Sequence, residues 1–102
     1  AAGGVTVEMV LSKPADFTAK PVRLRGQVVK FNAQIMGRNW IHIQDGSGSA
    51  SKGTHDLTIT TDATVRVGQT IEVVGNLVQN KDFGAGYNYP VLLEGATVKV
   101  LP

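Results

Sequence analysis

Pro21-Val22-Arg23-Leu24-Arg25-Gly26-Gln27-Val28-Val29-Lys30-Phe31, with Asn39-Trp40-Ile41-His42-Ile43-Gln44 shortly after it, decides the fold. Val22 and Leu24 alternate with Arg23 and Arg25, the period of a strand with one face in a core and one in water. Gly26 interrupts and Val28-Val29 breaks the alternation, as a strongly bent barrel strand requires. In the second stretch Ile41 and Ile43 share one face and Trp40, His42 and Gln44 the other. If the isoleucines are core, the indole and imidazole point outward.

Three further strands follow from the same pattern. His55 to Thr61 places Leu57 and Ile59 inward and Asp56, Thr58 and Thr60 outward. Gln69 to Val78 carries Ile71, Val73 and Leu77 around Gly75, and Pro90 to Val100 is broken at Glu94-Gly95. Glycines within the first, fourth and fifth strands argue for a closed sheet. Asp45–Gly53 and Asn80–Tyr87 read as loops, the second as a flexible one, and Asp62–Val67 has room for at most one helical turn. Ahead of the strands, Thr6 is placed to cap a short helix to Ser12, with Val7, Val10 and Leu11 on one side and Pro14 limiting it. The predicted layout is a helical cap over 1–20, with Phe17 as a plug, and an all-β five-stranded Greek-key barrel over 21–102.

The 102 residues suit one domain, and an apolar fraction of 42% suits one core. No apolar run is long enough for a membrane-spanning helix. The absence of cysteine excludes disulfides, thiolate metal sites and cysteine nucleophiles. No signal peptide is visible before the small residues Ala1-Ala2-Gly3-Gly4. The net charge is only +2, but Lys20, Arg23, Arg25, Lys30 and Arg38 fall between Asp16 and Asp45 with no acidic residue among them. Such a one-sided field attracts an anionic partner, or simply keeps a surface solvated.

Two of these stretches resemble a known group. Val22–Val28 with Asn39–Gly48 is similar to the first hairpin of OB-fold domains of the tRNA-anticodon-binding type, and Val67–Gly75 looks like the lead into their fourth strand. Ile35–His42 and Lys81–Tyr87 are similar to small bacterial exported OB-fold proteins described as nucleic-acid-binding. The resemblance implies an OB barrel and a periplasmic or otherwise exported location.

In OB barrels, ligands cross the outer face of the second and third strands, flanked by loops. The expected ligand face therefore holds Arg23, Arg25, Lys30, Arg38, Trp40, His42, Thr58 and Tyr87, with Gln27 and Tyr89 near it. Single-stranded nucleic acid or another anionic ligand would place bases on Trp40 and a tyrosine while the cations follow phosphates. Against this, Trp40 serves equally well as a residue packed under loops, with the arginines paired to Asp45 or Asp56. A second reading gathers Met36, Trp40, His42 and His55 around a soft metal such as Cu(I) or Ag(I). A third makes the face around Trp40 a docking surface for a protein partner. Catalysis is not expected: His42, His55, Asp45, Asp56 and Ser47 have no triad spacing, and Gly46-Ser47-Gly48 lacks the rest of a phosphate loop. No cofactor is expected.

Overall fold

The computed structural model describes residues 5–82 and 88–101. α1 (Val7–Ser12) leads through a 3-10 turn at Pro14–Phe17 into β1 (Val22–Ile35) and β2 (Arg38–Gln44). A second 3-10 turn, Ala50–Lys52, precedes β3 (Leu57–Thr61), β4 (Thr70–Asp82) and β5 (Asn88–Val100). The strands close into a ring in the order β1-β2-β3-β5-β4. β3 and β5 run parallel, and the other neighbours are antiparallel.

β1 makes the closure by serving two neighbours in turn. Its first part pairs with β4 from Val22↔Gly75 to Gln27↔Thr70. Its second part pairs with β2 from Gln27↔Gln44 to Ile35↔Arg38. The handover occurs at Gln27, and just beyond it, at the ambiguous Val28-Val29, a register shift before Lys30 leaves Val28 buried and Val29 and Lys30 both exposed. An extra residue of this kind bends a strand and resets which side chains face the core. Gly26 lies at the crossing, where a Cβ would stand 3.1 Å from the Gln44 carbonyl oxygen and from Ile43 Cδ1. A side chain here would require β2 to give by a few tenths of an ångström.

Ile41, Ile43, Leu57, Ile59, Ile71, Val73 and Leu93 are fully buried, each contributing about 1.5–3 kcal/mol relative to exposure. Val7 and Val10 of α1 belong to the same core cluster, and Phe17 packs against it half-buried. Thr6 caps α1 as expected, its hydroxyl accepting a hydrogen bond from the Met9 N–H.

Several boundaries differ from the sequence expectation. β1 continues past Phe31 to Ile35 and turns back through Met36-Gly37, whose φ values of 54° and 77° form a two-residue mirror-image turn matched to strand twist. β3 begins at Leu57, not His55, and Asp62–Val67 contains no helical turn. β4 continues through Asn80 to Asp82, into the predicted loop, and the remainder of that loop lies outside the described residues. Among the described residues no helix is long and apolar enough to cross a membrane.

Candidate functional site

The bend in β1 divides the expected ligand face into three places. The first is the outer side of the β1–β4 pair. Arg25 Nε donates to Glu72 Oε2 at 3.0 Å, and Arg23 Nη1 stands 3.7 Å from Glu72 Oε1. Lys99 is the β5 partner of Glu72. The hydrogen bond from Arg25 holds the Glu72 carboxyl below the ordinary glutamate range; partial desolvation opposes this, and the charges of Arg25, Arg23 and Lys99 reinforce it. One carboxylate thus sits among three cations. The Arg23 and Arg25 side chains remain 71% and 59% exposed. A groove of about 810 Å³ opens beside them, with Thr6, Gln27, Gln44 and Thr70 in its walls.

The second place is the outer side of β2, where Lys30, His42 and Thr58 form one cross-strand row. His42 Nδ1 lies 2.8 Å from Asp56 Oδ1, and Gln44 Nε2 donates to Asp56 Oδ2 at 3.1 Å. Thr58 Oγ1 is 3.5 Å from the same His42 nitrogen. Arg23 and Arg25 do not lie in this row, contrary to the sequence expectation. Arg25 is five residues before Lys30, roughly 17 Å along the strand. Nor do the arginines pair with Asp45 or Asp56; their partner is Glu72 of β4.

The third place is where the β1–β2 hairpin meets β4 and β5. Trp40 is only 3% exposed. Its Nε1–H donates to the Ile35 carbonyl at 2.9 Å, and the Tyr89 ring stacks on it at a centroid distance of 5.1 Å, tilted by 31°. Tyr89 holds the position a stacked base would need, so the open indole platform expected from sequence is absent. The buried indole likewise adds nothing to an exposed docking patch. Arg38 and Lys81 flank Glu94 Oε2 at 3.8 and 3.5 Å. Thr60, expected outward, is 1% exposed, and its hydroxyl accepts the Gly95 N–H. Tyr87 lies outside the described residues.

The soft-metal set is not gathered. Met36 sits in the hairpin turn, beyond Arg38, which is itself four residues, roughly 14 Å of strand, from His42. Trp40 is enclosed, His42 is bonded to Asp56, and His55 lies outside β3 with Nδ1 buried and unpaired. Among the described residues no group of three His, Asp or Glu side chains is arranged to hold a metal ion.

Asp45 and Ser47 have a role that the sequence reading missed. Asp45 Oδ2 accepts the Val7 N–H at 2.9 Å, and Oδ1 accepts the Ser47 N–H at 3.0 Å together with the Ser47 hydroxyl. Ser47 Oγ in turn accepts the Glu8 N–H at 3.0 Å. With Thr6 on Met9, the first three N–H groups of α1 are all satisfied, two of them by the loop after β2. Partial burial raises the Asp45 pKa, but these hydrogen bonds outweigh it and hold the carboxyl below the ordinary aspartate value.

The fold and these sites define a closed five-stranded β-barrel with a cationic band along its first strand. Comparison with protein-family models and with curated proteins finds no match for the chain.

Proposed function

We propose that this chain is a non-catalytic OB-type barrel that binds an extended anionic ligand, single-stranded nucleic acid foremost, along the outer side of β1. The strand order and the parallel β3–β5 pair support the OB reading. One observation carries the ligand class. The exposed side chains of β1 from Arg23 through Arg25 and Gln27 to Lys30 include three cations and no carboxylate. Arg23 to Lys30 is eight residues, roughly 23 Å of strand followed around its bend, enough for a few nucleotides. The nearby acids are already engaged, Glu72 by the arginines and Asp45 by backbone N–H groups. Charge, not base stacking, supplies the affinity, because Trp40 is covered by Tyr89.

The test is an anisotropy titration of labelled oligothymidylate at several salt concentrations. Three phosphate contacts predict a log–log salt slope of about −2. Trp40 emission should stay constant on binding. Arg25→Met should weaken binding to all sequences alike and flatten the slope by about 0.7, whereas Glu72→Gln should tighten binding several-fold by releasing two arginines. Absence of binding at low salt, or binding indifferent to salt, rejects the reading.

A further inference from the structure

The row Lys30–His42–Thr58 is not explained by packing. The outward residues flanking His42 on β2 are engaged: Trp40 is covered by Tyr89, and Gln44 is bonded to Asp56. His42 differs from them. Its Nδ1 is committed to Asp56, so in the neutral ring Nδ1 carries the proton and Nε2 carries the lone pair. Nε2 has no partner among the described residues and is not fully buried, on a side chain 26% exposed. Lys30, directly across on β1, is exposed and makes no ion pair with a described residue. Directly paired side chains in a sheet have Cβ atoms about 4.5–5.5 Å apart, so the ammonium and the imidazole can reach one ligand group.

We propose that Lys30 and His42 Nε2 form a subsite for one phosphate group, and that binding there is coupled to protonation of His42. This rests on the proposed anionic-chain reading and deepens it. In the neutral ring Nε2 accepts hydrogen bonds and repels a phosphate oxygen; once protonated it donates to that oxygen while Nδ1–H stays on Asp56. The charged groups facing the ring are Lys30 from β1 and Asp56 from the segment before β3, and the other neighbours, Gln44 and Thr58, are neutral. Lys30 and Asp56 offset each other, so the imidazole sets the sign of the subsite. Its proton gives the row a net positive charge, and loss of that proton leaves the row balanced. Arg23 and Arg25 keep their charge throughout, so the rest of the band binds independently of pH.

Two measurements test this. In the first, inorganic phosphate is titrated into the protein at about pH 5.5 while the ring nitrogens of both histidines are followed by NMR. His42 Nε2 should shift saturably and His55 should not; a Lys30→Met variant should lose the response. In the second, affinity for oligothymidylate without a terminal phosphate is compared at about pH 5.5 and about pH 8.5, because phosphodiesters do not titrate in this range. Affinity should be roughly tenfold higher at the lower pH, the scale of one charge-assisted hydrogen bond. His42→Gln should reduce the ratio to near one, while His55→Gln leaves it unchanged. An unresponsive His42 with phosphate, or oligonucleotide binding that is equal at both pH values, overturns the subsite and leaves the wider reading intact. A phosphate response at His42 without oligonucleotide binding at any pH supports the subsite and rejects the chain ligand.

Discussion

Replacing Trp40 by alanine is expected to destabilise the barrel by about 3–5 kcal/mol, the range for removing a large buried aromatic side chain. Domains of this kind have about 5–15 kcal/mol of stability in total, so the loss takes from about a fifth of it to all of it. The indole is 3% exposed, stacks on Tyr89, and satisfies the Ile35 carbonyl next to the Met36-Gly37 turn. Its removal leaves a void under Tyr89 and takes one hydrogen bond from the Ile35 carbonyl. Trp40→Phe keeps a ring against Tyr89 but loses the Nε1–H and part of the buried volume, so its cost should fall to about 1–3 kcal/mol. The measurement is urea unfolding followed by circular dichroism, because the variant loses the chain's single tryptophan. An exposed ligand platform would behave differently, with a change within about 0.5 kcal/mol. Tyr89→Ala is the complementary variant, and it should shift Trp40 emission to longer wavelength by admitting water.

Asp45→Ala should have the next largest effect, about 2 kcal/mol or somewhat more, the upper range for loss of a helix cap. The carboxylate accepts from Val7 N–H and also fixes Ser47, which accepts from Glu8 N–H. Its loss releases the start of α1 and with it the fully buried Val7 and Val10. Amide exchange at Val7, Glu8 and Met9 should accelerate well before the strands respond. The acid dependence has a definite sign. The folded pKa of Asp45 lies below its ordinary value of 3.8, so its stabilisation is complete above about that pH. It is lost as pH falls through the lowered folded value. Helix docking should therefore hold at pH 5 and fail only below about pH 3.8. Asp45→Asn should lack that acid step.

What could be read from the sequence was local. Alternation at Val22–Arg25, at Ile41–Ile43 and at Leu57–Ile59 placed the core side chains correctly, and Thr6 was recognisable as a cap from its own position. Features that depend on distant residues were not visible. The cover on Trp40 is Tyr89, and the partner of Arg23 and Arg25 is Glu72, each supplied by a strand far along the chain. Asp45 acts on Val7, 38 residues earlier. The Val28-Val29 irregularity was visible, but its consequence was not: a register shift just past Gln27, where β1 passes from β4 to β2, puts Lys30 and not an arginine opposite His42. Charge clustering in sequence thus indicated a cationic strand without showing that its bend divides the cations between two surfaces.

The position of β5 between β3 and β4 bears on how the molecule can assemble. Until the last strand has been synthesised, β3 lacks a neighbour on one side and β4 lacks its longest pairing partner. A nascent chain stopped before Asn88 would carry two unsatisfied backbone rims, on β3 and β4, the kind of surface that recruits other chains. Closure of the barrel therefore has to wait for β5, and truncation ahead of it should yield aggregates in place of a smaller folded form.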